Sequence, residues 1–333
     1  MRKAVPMQPL APAPLSSTSP TPTPTPAGPI TQPGLPAVAT SFALTRPAHV
    51  AQAHLQVQDL DRLVAFYRDI IGLSVLQSSP SGAVLGVGPL PLLTLSTDRM
   101  LARAPRGASG LFHTAFLVPG RQELAAWLAH AANDGVTLQG ASDHLVSEAL
   151  YLADPEGNGI EIYRDRRPDE WTYLADGTVQ MATERLDLQA LYDSAPRQRF
   201  AGMAEGTAIG HIHLQVGDLA QADAFYRDVL GLKIMARYPG ASFFATGGYH
   251  HHLAANIWNS RGAERREKGM TGLADYRLVF SDTALLNQVL ASLEQQEIEV
   301  HRRSDGWSFR DPSGIGLSLG EAPSATAPTT QAT

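Results

Sequence analysis

One string of 22 residues occurs twice in this chain, and that repetition constrains the fold more than any other feature. HLQVQDLDRLVAFYRDIIGLSV, from His54 to Val75, aligns with HLQVGDLAQADAFYRDVLGLKI, from His213 to Ile234, with 13 identities at an offset of 159. A second pair, DPEGNGIEIY from Asp154 and DPSGIGLSLG from Asp311, recurs at an offset of 157. Two offsets that agree this closely mean two homologous halves rather than one accidental motif. Their bounds are 48–165 and 207–320, joined by a polar linker over 166–206.

Each half divides again. Ala51–Val57 alternates as a strand, with His54, Gln56 and Gln58 on one face and Leu55 and Val57 on the other. Asp59 is a suitable N-cap for a helix over 60–71, and Gly72 is a suitable terminator. Three short strands follow, and the pattern restarts near Leu111, where a helix from Gln122 precedes strands near 136–139, 148–153 and 158–163. The second half reads the same way. The expected fold is therefore α+β: four βαβββ units, with the two units of each half paired into one cupped sheet.

Outside this body the composition changes. The first 47 residues hold 12 of the 24 prolines, which predicts a disordered, proline-rich tail. Met1-Arg2-Lys3 imitates the start of a signal peptide, but Pro6, Pro9, Pro12 and Pro14 interrupt the apolar stretch it would need. Residues 321–333 read as a second loose tail. A formal charge of −6 argues against a nucleic-acid partner, and no apolar run is long enough for a membrane helix. A cytoplasmic protein is the expectation, and a homo-oligomer is compatible with it. There is no cysteine, so His, Asp and Glu are left for any metal or acid–base chemistry.

The strings HLQVxDLxxxxxFYRDxxGL, GLFHTAFLVPxRxEL, DHLVSEALYLADPEGNGIEIYRDR and GGYHHHLAANIW together resemble the vicinal oxygen chelate superfamily. That superfamily spans glyoxalase I, fosfomycin- and bleomycin-resistance proteins and extradiol dioxygenases. The similarity is to its two-domain, catechol-2,3-dioxygenase-like branch, and it runs from His49 to Leu319. The resemblance implies metal ligands on the first and last strands of paired units. In the first half those positions carry His54, His113 and Glu161. Two imidazoles and a carboxylate suit non-haem iron(II), with manganese(II) or another divalent ion as the alternative. PLLTLST, the last strand of the first unit, offers no ligand.

In the second half His213 persists, but Ser318 stands where Glu161 would be. His213, His252 and Asp275 form a second candidate set there, and His211 shares the strand face of His213. His144 is the expected acid–base group, with Tyr151 as a weaker candidate. The resemblance implies an iron(II)-dependent extradiol dioxygenase of aromatic degradation, with a catechol- or hydroquinone-like aromatic and dioxygen as partners. Two alternatives stay open: a glyoxalase-like isomerase or lyase, and a non-catalytic small-molecule binding or resistance protein.

Overall fold

The computed structural model of the chain describes residues 41–322. Four βαβββ units follow one another. The first holds β1 (Ala48–Gln56), α1 (Leu60–Phe66), β2 (Ser74–Ser79), β3 (Gly82–Val87) and β4 (Leu90–Ser96). The second holds β5 (Gly110–Leu117), α2 (Arg121–Asn133), β6 (Gly140–Asp143), β7 (Ser147–Ala153) and β8 (Gly159–Asp165). A short strand, β9 (Glu184–Arg185), and helix α3 (Leu188–Asp193) lie in the linker. The third unit runs through β10 (Ala208–Gln215), α4 (Leu219–Ala224), β11 (Lys233–Tyr238), β12 (Ala241–Ala245) and β13 (Leu253–Asn256). The fourth comprises β14 (Gly272–Phe280), α5 (Thr283–Gln295), β15 (His301–Arg303), β16 (Gly306–Arg310) and β17 (Gly316–Glu321).

The α+β architecture is as expected, but the pairing of units is not. β1 runs antiparallel to β14, joining the first unit to the fourth in a sheet ordered β15-β16-β17-β14-β1-β4-β3-β2. β5 runs antiparallel to β10, joining the second unit to the third as β11-β12-β13-β10-β5-β8-β7-β6-β9. Each sheet thus takes one unit from either half, rather than both units of one half. A repeat identifies which units are homologous; it is silent about which strand edges meet, because either pairing buries the same alternating faces.

Local signals explain the elements well. Asp59 accepts a hydrogen bond from the Arg62 amide and caps α1, whose last turn widens over Tyr67–Ile71 before Gly72 ends it at φ 92°. Only glycine adopts that left-handed backbone without strain. The duplicated FYRD tyrosines are core residues. The Tyr67 hydroxyl donates to Asp154 at 3.1 Å, and the Tyr226 hydroxyl donates to Asp311 at 2.6 Å. The two repeated motifs are thus bonded to each other inside each half. Burial raises both carboxyls above their usual range, Asp311 to about 6. The strand expected at 136–139 begins instead at Gly140, while Val136 and Leu138 pack against the core without joining a ladder.

The proline-rich tail falls mostly outside the described residues, as do residues 323–333 of the expected C-terminal tail. Residues 41–47, placed in the tail by composition, are packed. Phe42–Thr45 form a 3₁₀ turn with Ala43 fully buried, and Phe42 meets Trp171 edge-to-face at 5.7 Å. Among the described residues no helix is long and apolar enough to cross a membrane.

Candidate metal centre and active site

Strands β10, β5 and β8 are neighbours in the larger sheet, and each supplies one chelating side chain to the same point. On β5, His113 faces the open side of the sheet while Phe116 on the opposite parity is buried in the core. On β8, Glu161 lies between Ile160 and Ile162, both core residues, so alternation turns its carboxylate the other way. His211 on β10 is Cα-paired with Ala115, and Ala115 with Glu161, which sets His211 and Glu161 at one level, two residues along β5 from His113.

The donor atoms converge. His113 Nε2 is 2.9 Å from Glu161 Oε2, His211 Nε2 is 3.2 Å from the same oxygen, and the two imidazole nitrogens are 3.2 Å apart. Donors about 2.1 Å from one ion and at right angles around it would stand about 3.0 Å apart. The observed spacing matches one triangular face of an octahedron. All three residues are at most 6% exposed. Burial would raise the Glu161 carboxyl, but the imidazoles of His211 and His113 outweigh it and hold the group well below the usual carboxylate range. Burial pushes His211 down to about 4 against the pull of Glu161, so its ring is neutral at pH 7. Two imidazole nitrogens and a carboxylate oxygen crowded at one buried point are a donor set that a divalent cation fits.

These three residues lie in the floor of a 1690 Å³ cleft. His144 and Tyr151 line it as well. Tyr151, on β7, is Cα-paired with Glu161. His144 donates through Nδ1 to the Ala182 carbonyl at 2.7 Å, which leaves Nε2 free to accept the Tyr151 hydroxyl, also at 2.7 Å. Burial first, and then the charge of Glu161, raise the Tyr151 phenol well above its ordinary value, so it keeps its proton. Phe112, Phe243 and Trp258 form an aromatic wall around His213, whose Nε2 faces the Asn256 amide at 3.0 Å.

Of the residues expected to hold metal, His113 and Glu161 meet, and His54 does not join them. His54 lies on β1 in the other sheet, bonded to Asp275 at 2.9 Å and to Ser96 at 2.7 Å. The unexpected pairing of units puts it there. The second expected set also disperses. His213 lines the main cleft, His252 reaches away to the Ala43 carbonyl at 3.1 Å, and Asp275 stays with His54. His211 is the third donor of the cluster, and strand-by-strand reading passed over it. Its signal was present in the alternation HIH, which puts His211 and His213 on one face.

A family model described as the Glyoxalase/Bleomycin resistance protein/Dioxygenase superfamily matches residues 46–162 and 208–319. The catechol-2,3-dioxygenase of Bacillus subtilis (strain 168) is 38% identical over 268 residues, covering 79% of this chain and 94% of that protein. The biphenyl-2,3-diol 1,2-dioxygenase 3 of Rhodococcus globerulus is 26% identical over 149 residues, covering 40% of this chain and 73% of that protein. Among solved structures, a putative dioxygenase from Bacillus subtilis superposes with a TM-score of 0.59 at 13% identity, covering 83% of this chain and 85% of that one. Glyoxalase I from Zea mays superposes with a TM-score of 0.52 at 17% identity, covering 84% and 94%. These structural likenesses concern the fold.

Proposed function

Since the chain belongs to the glyoxalase/bleomycin resistance protein/dioxygenase superfamily and is an extradiol-dioxygenase-like enzyme, we propose that it is an iron(II)-dependent ring-cleavage dioxygenase acting on a catechol- or hydroquinone-like aromatic. The observation that carries this reading is the meeting of His113, Glu161 and His211 donor atoms within 3.2 Å in the floor of an open cleft. These residues would hold iron(II) from one side and leave its cleft side open. Bound iron(II) supplies the redox centre that couples an electron-rich diol to dioxygen.

The remaining work falls to the protein. The aromatic wall of Phe112, Phe243 and Trp258 offers apolar surface to a flat ring and keeps water from it. Tyr151 donates its own proton to His144, so its oxygen can accept one from a substrate hydroxyl while His144 Nε2 takes the proton onward. The Ala182 carbonyl holds His144 in the tautomer that this transfer requires.

Addition of catechols to iron(II)-loaded protein should consume oxygen in step with a ring-opened product. His144→Ala should slow turnover by about 10²–10⁴-fold, the range for losing a positioned acid–base group, with iron content unchanged. Iron retained without oxygen uptake across a broad catechol panel would refute the reading. Activity restored by manganese(II) and not by iron(II) would reassign the metal.

A further inference from the structure

The residues left unused by the metal centre have an arrangement of their own. Asp275 Oδ2 accepts the Nδ1–H of His54 at 2.9 Å, and Ser96 Oγ stands 2.7 Å from His54 Nε2. With the proton of the neutral ring fixed on Nδ1, the Nε2 lone pair faces the serine hydroxyl. A hydroxyl, a base oriented toward it and a carboxylate orienting that base are the three roles of a nucleophilic triad. From this geometry we propose that Ser96, His54 and Asp275 form a second, metal-independent catalytic site that hydrolyses carboxylic esters through an acyl-serine.

The sheet explains how three distant residues meet. β4, β1 and β14 are adjacent, with His54 Cα-paired to Asp275 on one side and to Thr94, two residues before Ser96, on the other. Leu93, Leu95, Ala53, Leu55, Leu273 and Tyr276 turn into the core, so Ser96, His54 and Asp275 share the opposite face. That face is open: the His54 and Asp275 side chains are 29% and 39% exposed. Gln56, next along β1 with the same parity and Cα-paired with Ser96, has a carboxamide without a hydrogen-bond partner among the described residues. It is an uncommitted N–H donor for the carbonyl oxygen of an ester.

In the reaction, Ser96 Oγ bonds to the ester carbonyl carbon as its proton passes to His54 Nε2. The ester C–O bond then breaks, and the departing alcohol takes the proton from Nε2. Water attacks the acyl-serine, His54 removes its proton and returns it to Ser96 Oγ, and a carboxylic acid leaves. No electrons are exchanged and no co-reactant beyond water is required. Because Asp275 is in contact with solvent, its field on His54 is screened, so slow turnover of activated esters is expected.

The test uses the full chain after exhaustive chelation, which separates it from the dioxygenase reading. A fluorophosphonate probe should label Ser96, located by peptide mass, and p-nitrophenyl acetate should be hydrolysed with a burst of nitrophenol. Ser96→Ala should abolish the label and the burst; His54→Gln should lower the labelling rate at least tenfold with an unchanged melting temperature. Asp275→Asn should lower it as well, because it removes the tautomer control while keeping the size of the side chain. Labelling confined to another serine, no labelling at all, or hydrolysis indifferent to Ser96→Ala would overturn the proposal.

Discussion

The two sheets are built to one plan and carry different side chains at matching positions. In each, two first strands meet antiparallel at the centre, β1 with β14 and β10 with β5, flanked by the parallel last strands of their units. His54 faces Asp275 in one sheet where His213 faces His113 in the other. By the same register, the positions of His113, Glu161 and His211 are filled by Asp275, Ser318 and Gln52. The smaller sheet also carries Arg277 where the larger one has Ala115, and its guanidinium is bound to Asp305. Among the described residues, only the larger sheet brings three such donor side chains together at one point.

The largest effect should come from deleting the carboxylate that distinguishes the sheets. Glu161→Ala leaves two imidazoles and no carboxylate, and metal retention after gel filtration should fall by more than about 100-fold, beyond the loss typical of an outer-shell change. Asp275→Ala should retain metal at the wild-type level, read by elemental analysis. Equal loss in both variants would abolish the contrast between the sheets.

A smaller effect concerns buried imidazoles on either side of the comparison. Burial pushes His49, on β1, down to about 4 and His252, beside the larger sheet, down to about 3. Their folded-state pKa values lie below the unfolded one, near 6.5, so the unfolded chain takes up protons first as the pH falls. Stability that is complete above pH 6.5 is then lost, by up to about 2 kcal/mol per group between pH 7 and pH 5. Asp311, raised to about 6, works in the opposite sense below pH 6 and offsets part of this. Melting temperature should fall between pH 7 and pH 5, and His49→Asn or His252→Asn should each flatten the slope. A slope unchanged in both would show that these groups titrate normally in the fold.

Much of this was legible in the residues, and the losses at the site have one cause. The duplicated HLQV and DPxG strings announced four βαβββ units, Asp59 and Gly72 bounded α1, and alternation around Glu161 turned its carboxylate away from the core. His113, Glu161, His144 and Tyr151 all meet in one cleft. What one chain's pattern does not encode is which exposed strand edges pair, since β1 would bury the same face beside either neighbour. That single ambiguity misplaced His54 and passed over His211. The packing of Phe42 and Ala43 was hidden for a different reason: a proline-rich context masks a short apolar turn whose partners, Trp171 and Tyr249, lie far along the chain.

If the larger sheet alone holds the metal, anomalous diffraction at the iron edge from crystals of iron(II)-loaded protein should show one peak per chain, about 2.1 Å from His113 Nε2, His211 Nε2 and a Glu161 oxygen. A peak beside His54 and Asp275, or one in each sheet, would contradict it.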